Sequence, residues 1–309
     1  MITTVTLNPC IDRTVLIDGF MPGGLNMVSS ERIDAGGKGI NSAIVLSELG
    51  ADSLCIGISF SGNGMFLTQR LEELGVKHDF VAADGNIRTN IKILDTAKNE
   101  MTEINSRGDK VDTAVINAFF DKLAFYAAKS EIVMLSGRIP NGADEDIYLQ
   151  CAEIISKFSA KVMLDIEKNP LKLAVKARPY IIKPNVHELN DAFGFNVSSP
   201  KETVAACREI IAQGVKIVCV SMGEQGAVIA DEHSAFFAPV LDIVPKGLQG
   251  AGDSMGAGIC KGIYDGAGID VMLKMGSAAA AASIIREGTQ LCKKHDYEEF
   301  FEKVIVEKI

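Results

Sequence analysis

Residues 250–258 read Gly-Ala-Gly-Asp-Ser-Met-Gly-Ala-Gly and form the most informative stretch of the chain. The glycines stand where an irregular segment enters an apolar run of small residues that is typical of a helix. Backbone N–H groups at a helix start have no partner within the helix, and with the helix dipole they form a site for an anion. Asp253 lies in the same turn, and a proton acceptor beside bound phosphate is typical of phosphoryl transfer. Aspartate also often caps helices, so the motif alone leaves both interpretations of Asp253 open.

The composition is that of a globular protein. With 309 residues, 47% of them hydrophobic, the chain is long enough to bury a large core. A formal net charge of -9 argues against nucleic acid and anionic membranes as the main partners. The seven scattered cysteines include no C-x-x-C pair and predict reduced, mostly buried thiols. We find no signal-peptide pattern and no membrane-spanning stretch, which predicts a cytoplasmic location.

Short β-rich runs alternate with helical patterns along the chain. Leu67, Leu71 and Leu74, for example, recur with helical spacing, and an amphipathic pattern predicts a last helix at about Tyr297–Val306. Strand–helix–strand repeats predict an α/β fold with a mostly parallel sheet and helices on both faces. Ligands of such sheets bind beyond the carboxyl ends of the strands. The predicted strands are Ile2–Leu7, Leu54–Ser59, Glu131–Leu135, Lys161–Asp165, Tyr180–Lys183 and Lys216–Ser221.

Three extended, polar-rich runs do not fit this alternation. We predict that they form antiparallel strands of a small lid attached to the main sheet. No Pro- or Ser-rich linker divides the chain, so we expect one domain over residues 1–309, with lid segments near 12–34 and 85–106. The three runs are Met27–Ile33, Ile87–Leu94 and Glu100–Ile104.

A second glycine-rich motif, Asp34-Ala-Gly-Gly-Lys-Gly-Ile-Asn41, runs into an apolar helix at Ser42–Leu49. Its glycines allow a ligand to approach the backbone, Lys38 offers a positive charge, and Asn41 lies one turn into the helix. Nothing in the chain matches the Walker A pattern G-x-x-x-x-G-K-[ST]. A tight turn alone would account for the glycines, but it explains Lys38 and Asn41 less well.

A third cluster, Lys183-Pro-Asn-Val-His-Glu-Leu189, follows a predicted strand. Asn185 and Glu188 are three residues apart on the next turn and therefore face the same way. Two oxygen-donating side chains at this spacing suit a water-coordinated Mg²⁺ near nucleotide phosphates. In isolation the pattern is weak, because exposed Asn and Glu are common.

Taken together, these segments resemble the PfkB carbohydrate kinases of the ribokinase-like superfamily, and within it the branch of 1-phosphofructokinases and tagatose-6-phosphate kinases. The resemblance covers essentially the whole chain in the family's order. It implies a ribokinase-like fold with a β lid, and ATP and Mg²⁺ as cofactors. The implied reaction is phosphorylation of a ketohexose monophosphate, and the favoured one converts D-fructose 1-phosphate to fructose 1,6-bisphosphate. The matching motifs are Thr6-Leu-Asn-Pro-Cys-Ile-Asp12, Ala35-Gly-Gly-Lys-Gly-Ile-Asn41, Arg88-Thr-Asn90, Ser136-Gly-Arg-Ile-Pro140, Lys183-Pro-Asn-x-x-Glu188, Ser221-Met-Gly-Glu-Gln-Gly-Ala227 and Gly250-Ala-Gly-Asp253.

The resemblance also implies a role for each matching residue. Asp253 would be the catalytic base, and the N–H groups of Gly250, Ala251 and Gly252 would form the anion hole. Paired lids in the family imply a homodimer. Substrate contacts are implied for Asp12, Gly37, Lys38, Asn41, Arg88, Asn90, Ser136 and Arg138. Nucleotide contacts are implied for Lys183, Ser221, Gly223 and Gly226, and metal positioning for Asn185 and Glu188.

The implied substrate contacts differ in the chemical group that they bind. Lys38 and Arg88 would hold the phosphate that the substrate already carries, because unphosphorylated sugars offer no such anion. Asp12 and Asn41 would fix sugar hydroxyls and so orient the acceptor.

The chain departs from the family pattern at four places. Arg138 follows the predicted end of a parallel strand, where ligands sit, so it could hold the phosphate in place of the cation missing at Ile44. These exchanges leave the identity of the sugar phosphate open. The departures are Ile44 for a basic residue, Arg138 for a small Ser, Leu248-Gln249 for Thr-Val, and Asp165-Ile-Glu-Lys168 for a Ser-rich turn.

Other functions remain open from the sequence. Tagatose 6-phosphate is a similar ketohexose monophosphate with its phosphate at the opposite end of the molecule, so a tagatose-6-phosphate kinase is the alternative enzyme. A sugar-phosphate-binding regulator with little catalysis is less favoured, because a pure binder has no need of Asp253. A dinucleotide-binding oxidoreductase is disfavoured because Gly250, Gly252 and Gly256 do not match G-x-G-x-x-G.

Overall fold

The computed structural model of the protein describes residues 1–286, 288 and 290–309. Its strands are β1 (Ile2–Thr6), β2 (Cys10–Ile17), β3 (Ser30–Gly36), β4 (Ser53–Phe60), β5 (His78–Ala83), β6 (Arg88–Asp95), β7 (Glu100–Asn105), β8 (Ile132–Ser136), β9 (Lys161–Asp165), β10 (Ile181–Ile182), β11 (Ile217–Ser221), β12 (Ala227–Ala230), β13 (Ala235–Ala238) and β14 (Glu307–Lys308). Its helices are α1 (Lys38–Glu48), α2 (Gly64–Glu73), α3 (Thr113–Ala127), α4 (Ile147–Ile155), α5 (Lys168–Ala174), α6 (Val186–Phe193), α7 (Pro200–Ile211), α8 (Ala251–Tyr264), α9 (Ile269–Ile284) and α10 (Lys294–Lys303).

A large sheet lies at the centre, with the strand order β14-β13-β12-β11-β10-β9-β8-β1-β4-β5. From β5 to β11 neighbouring strands run parallel, whereas β12, β13 and β14 add an antiparallel edge. Strands β1, β4 and β8 are buried along their whole length, as expected when helices cover both faces. The mostly parallel α/β sheet predicted from the sequence is confirmed.

Two apolar cores lie against this sheet. One contains buried side chains of α3, α4 and α7, such as Phe119 and Tyr148. The other contains α8 and α9, including Ile259 and Leu273. Helices α8 and α9 pack closely because Gly258 has no side chain: a Cβ there would lie 2.5 Å from the carbonyl oxygen of Met275. This packing fixes the helix whose first turn carries Asp253.

A second, smaller sheet has the order β3-β2-β6-β7 and contains the runs predicted as lid strands. The pairs β2–β3 and β6–β7 are antiparallel, as predicted for the lid runs, but β2 and β6 pair in parallel. The first predicted run, Met27–Ile33, is displaced towards the C-terminus and forms Ser30–Gly36. Strand β2 was not predicted, and with β6 it forms the middle of this sheet. The four strands are hereafter called the lid sheet.

Several predicted boundaries shift in the structure. The last helix is Lys294–Lys303 instead of Tyr297–Val306, and residues 304–306 have left the helix. The second glycine motif enters its helix at Lys38, not at Ser42. Consequently Lys38 and Asn41 both lie in the first turn of α1, at the edge of the sheet where ligands bind.

The thiols agree with the sequence-based expectation, because all seven cysteines are buried and free. Among the residues that the structure describes, no helix is both long and apolar enough to cross a membrane.

Candidate active site

The turn before α8 has the backbone of an anion site. Gly250 is the N-cap, with φ 75° and ψ -4°, a left-handed conformation that favours glycine. The helix begins at Ala251, and within the described part of the chain no side chain caps it. The N–H groups of the first turn, including those of Ala251 and Gly252, therefore remain available to a ligand. The macrodipole of this 14-residue helix adds a favourable field for negative charge.

Asp253 lies in the first turn of α8 and is buried. Its Oδ2 accepts a hydrogen bond of 2.7 Å from Nδ2 of Asn41. Burial and the nearby charge of Asp165 raise the pKa of Asp253 to about 6. Lys38, the Asn41 hydrogen bond and Lys183 oppose this shift without cancelling it. A carboxyl group that titrates close to neutrality is suited to accept a proton at physiological pH.

A cluster of buried and partly buried charges lies beside this carboxylate. Nζ of Lys38 lies 3.1 Å from Oδ1 of Asp165 and 3.3 Å from Oε1 of Glu188. Nζ of Lys183 lies 3.3 Å from the other oxygen of Asp165. With Asp253, three carboxylates thus share two ammonium groups, which leaves one negative charge in excess. This imbalance adds to burial, which has the larger effect, in raising the pKa of Asp253.

The two lysines hold Asp165 in its charged form. Burial alone would raise the pKa of Asp165, but the charges of Lys183 and Lys38 outweigh burial and lower it. Burial alone would likewise lower the pKa of Lys38, but Asp165, Glu188 and Asp253 outweigh burial and raise it. Lys38 therefore carries its charge at any physiological pH. Its partners in the structure are carboxylates, whereas the sequence implied a contact with the substrate phosphate.

Asn185 and Glu188, the residues predicted to position a metal, hold each other at the start of α6. Oδ1 of Asn185 accepts the N–H of Glu188, and Oε2 of Glu188 accepts the N–H of Asn185, both at 2.8 Å. Among the described residues, no three His, Cys, Asp or Glu side chains lie close enough together to hold a metal ion. This donor set does not form an all-protein cage. It fits a Mg²⁺ ion that keeps its waters and is shared with phosphate oxygens.

A cavity of about 210 Å³ opens between the lid sheet and the carboxyl ends of β1 and β8. Seven of the eight predicted substrate contacts line it, and the eighth, Asn41, is bonded to Asp253 instead. The lining residues are Thr6, Asn8, Asp12, Gly37, Lys38, Arg88, Asn90, Lys92, Glu103, Asn105, Ser136, Gly137, Arg138 and Glu167.

Arg88 is buried in this cavity, and within the described residues no carboxylate pairs with it. Its partners are neutral oxygens: Nε donates to Oδ1 of Asn8 at 3.0 Å, and Nη1 donates to Oδ1 of Asn90 at 2.8 Å. The remaining contacts, at 3.3–3.4 Å, go to the carbonyl oxygens of Asn8 and Ser106. A buried guanidinium without a counter-ion is a strong site for an anion.

The sequence-based reasoning missed Lys92, which lies on the same strand as Arg88 and Asn90. Its Nζ lies 2.9 Å from Oδ2 of Asp12, whose Oδ1 accepts a hydrogen bond from Asn90. A signal was present, because residues 88, 90 and 92 alternate along a strand and so face the same side. Lys92 neutralises Asp12, which leaves the uncompensated charge of Arg88 more prominent.

Arg138 lines the cavity as expected but is half exposed, and its Nε lies 3.3 Å from Oε1 of Glu167. Both residues are among the departures from the family pattern. The strands β8 and β9 pair Ser136 with Asp165. Arg138 and Glu167 each follow that pair by two positions, and this brings them together. Ile44 is packed against the apolar core on α1 and is absent from the described lining of the cavity.

The residues predicted to contact the nucleotide lie at the ends of β10 and β11. Ser221 ends β11, and its N–H donates to the carbonyl of Pro184 at 3.2 Å. Gly223 and Gly226 bracket a short 3₁₀ turn with φ 59° and 98°. A Cβ at Gly226 would lie 2.1 Å from the Ala238 oxygen, so only glycine fits there. These residues therefore lie beside the Asn185 turn, at the edge of the sheet where ligands bind.

Comparison with known families places the chain among sugar kinases. Residues 5–296 match the family model described as pfkB family carbohydrate kinase. The protein belongs to the PfkB family of carbohydrate kinases, as its sequence motifs predicted. Membership of a kinase family implies ATP as the phosphate donor.

Named relatives and solved structures agree with this assignment. The 1-phosphofructokinase of Borreliella burgdorferi is 33% identical over 310 residues, covering 100% of this chain and 99% of that protein. The tagatose-6-phosphate kinase of Staphylococcus epidermidis is 28% identical, covering 99% of each. Phosphofructokinase-2 of Escherichia coli, solved in complex with potassium, has a TM-score of 0.93 at 24% identity over 98% of both chains. This last likeness shows the fold, and the predicted ribokinase-like architecture is confirmed.

Proposed function

We propose that this protein transfers a phosphoryl group from ATP to D-fructose 1-phosphate and produces fructose 1,6-bisphosphate. The observation that carries the choice of a phosphorylated acceptor is Arg88, a buried guanidinium without a carboxylate partner among the described residues. A free sugar would leave this charge uncompensated in the cavity, whereas a substrate phosphate would neutralise it. The relatives named as 1-phosphofructokinases support the same substrate.

The acceptor hydroxyl would be activated by Asp253. Its raised pKa and its hydrogen bond from Asn41 suit a base held in one orientation. In this role Asn41 positions the base, whereas the family resemblance had implied a contact with the sugar. The N–H groups of Gly250, Ala251 and Gly252 would stabilise the charge on the transferring group.

The substrate would be oriented by the cavity opposite this turn. Arg88 would bind the phosphate that the substrate already carries, and Asp12 and Asn90 would accept or donate hydrogen bonds to sugar hydroxyls. Lys38, already paired with Asp165 and Glu188, would add positive charge between the two phosphate positions. Holding both reactants in the correct relative position accounts for much of the rate enhancement in phosphoryl transfer.

Mg²⁺ would be held through its waters by Asn185 and Glu188, and it would neutralise charge on the nucleotide phosphates. Lys183, Ser221, Gly223 and Gly226 would contact the nucleotide from the neighbouring strand ends. Lys183 is buried against Asp165. Its charge therefore helps to hold that carboxylate ionised beside the site of transfer.

A homodimer through the lid sheet is part of the proposal. Exposed apolar side chains follow the lid strands and the loop between β2 and β3, and a partner would remove them from water. Sedimentation of the protein at several concentrations tests this: a monomer at all of them would contradict the dimer. The exposed residues are Met21, Leu25, Met27, Val28, Ile33, Ile91, Met101 and Ile104.

The substrate is tested by a coupled assay of ADP release over a panel of acceptors. The panel contains fructose 1-phosphate, fructose 6-phosphate, tagatose 6-phosphate, and unphosphorylated fructose and ribose. We expect the highest kcat/KM with fructose 1-phosphate. A preference for tagatose 6-phosphate would assign the alternative named by the Staphylococcus epidermidis relative, and a preference for a free sugar would reject the role of Arg88.

A further inference from the structure

Gln249 immediately precedes the anion-hole turn, and its side chain reaches the lid sheet. Its Oε1 accepts a hydrogen bond of 2.8 Å from Nζ of Lys92 on β6. Its Nε2 donates to Oε1 of Glu103 on β7 at 2.7 Å and lies 3.1 Å from Sδ of Met101. A single side chain thus joins the turn at Gly250 to two strands of the lid.

The amide of Gln249 matches the charges of its two partners. Its oxygen faces an ammonium group, and its NH₂ faces a carboxylate, so each end of the amide dipole meets the opposite charge. An amide can accept through its oxygen and donate through its nitrogen at the same time, which is what this pair of partners requires. Hydrogen bonds to charged groups are also stronger than those between neutral groups.

The contact continues into the substrate cavity. Lys92 is buried and also pairs with Asp12 on β2, at 2.9 Å. Asp12, Lys92 and Glu103 all line the cavity. Three strands of the lid sheet are therefore linked by side chains to the residue that precedes the helix N-cap. A movement of the lid sheet would pull on the backbone at Gly250.

We propose that Gln249 is a positioning residue that locks the lid sheet onto the phosphoryl-transfer turn. The lock keeps the acceptor cavity and the N–H groups of Ala251 and Gly252 in one fixed geometry. The proposal rests on the proposed function, since it assigns that turn to phosphoryl transfer. It also explains the departure at this position: the family's usual valine could not make either polar contact.

The test exchanges the two polar partners. Gln249→Glu places a second carboxylate against Glu103, and we expect kcat with fructose 1-phosphate to fall by ~10-fold or more, because like charges repel at this distance. Glu103→Gln keeps the contact of Gln249 with Lys92, and we expect a loss of ~3-fold or less. The double variant keeps the hydrogen bond that Lys92 donates to residue 249 and restores the bond between 249 and 103 with its direction reversed, since a carboxylate at 249 accepts from Lys92 and from an amide at 103. We expect it to recover to within ~3-fold of the wild type.

A second readout does not depend on catalysis. Hydrogen exchange of the amides at 88–105, measured without ligands, should accelerate in Gln249→Glu and return to the wild-type rate in the double variant. Gln213→Glu, on an exposed turn after α7, is the matched control for an added charge and should change neither readout. If the wild type has no activity on any sugar phosphate, the proposed function fails. Hydrogen exchange at 88–105 alone then tests whether Gln249 holds the lid sheet.

The proposal is overturned by either of two results. One is a Gln249→Glu variant with wild-type exchange at 88–105 and turnover within ~2-fold of the wild type. The other is a double variant as impaired as Gln249→Glu, because rescue by the swapped pair is what a direct contact requires.

Discussion

Nδ2 of Asn41 donates a hydrogen bond of 2.7 Å to Oδ2 of Asp253, joining the first turns of α1 and α8 across 212 residues of sequence. This bond favours the ionised carboxylate and therefore lowers the pKa of Asp253, against the larger effect of burial. A base works only when deprotonated, so we expect activity to fall as the pH drops through about 6.

Removing the Asn41 hydrogen bond should shift this pH dependence. In Asn41→Ala the ionised form of Asp253 loses a donor, its pKa rises further, and the acid limb of kcat/KM moves to higher pH. The substrate phosphate itself titrates near pH ~6, but it is common to both enzymes, so the shift between their profiles belongs to the protein. Coincident acid limbs in wild type and variant would show that Asn41 does not act on the base.

Arg88→Ala should raise KM for fructose 1-phosphate by ~10²-fold while KM for ATP changes little, because the lost charge contacts one substrate only. Arg88→Lys keeps the charge but loses the bidentate geometry of the guanidinium, so its KM for fructose 1-phosphate should lie between those of Arg88→Ala and the wild type. Initial rates with each substrate varied in turn give both constants. Equal increases in the two KM values would remove Arg88 from the sugar-phosphate site.

Arg138 should contribute more weakly than Arg88. Within the described residues, Glu167 is its ionic partner through Nε, and its Nη1 and Nη2 atoms make no hydrogen bond. We expect Arg138→Ser to raise KM for the sugar phosphate by ~3–10-fold, since a half-exposed cation is screened by water. Unchanged KM values for every sugar phosphate would make Arg138 a surface charge.

Gly258→Ala should destabilise the protein although alanine is the better helix former. The added Cβ would lie 2.5 Å from the oxygen of Met275, and separating α8 from α9 should cost ~1–3 kcal/mol. The control is Gly266→Ala, just after α8, where a Cβ would meet nothing within 4 Å and only its φ of 72° is strained. Urea unfolding measures the free energy of unfolding of both variants and of the wild type. A Gly258→Ala variant more stable than the wild type would contradict this account of the helix packing.

The sequence predicted much of the fold because its signals are local. Lys161–Asp165 was predicted with both ends correct, since an apolar run bounded by polar residues is typical of a buried strand. The short edge strands β12, β13 and β14 were not predicted, because strands of two to four residues carry little pattern. The last helix was placed three residues too late for a similar reason, as its apolar spacing continues past its end.

The site divides in the same way. Residues in recognisable motifs were identified from the sequence, and Asp12 and Arg88, which lie on the paired lid strands β2 and β6, line the cavity. Contacts between residues that are distant in the sequence could not be predicted. Lys92 and Gln249 are 157 residues apart, and Arg138 and Glu167 meet only through the register of β8 and β9. Such contacts depend on tertiary packing, which no local spacing encodes.

The role of Asp253 as the base of phosphoryl transfer is tested by the variant Asp253→Asn. The amide keeps the shape of the side chain but cannot accept the proton, so kcat with fructose 1-phosphate should fall by at least ~10²-fold. Binding of ATP, measured by calorimetry, should remain within a few-fold of the wild type. An Asp253→Asn enzyme with near-normal turnover would contradict the account and leave Asp253 as a structural residue of α8.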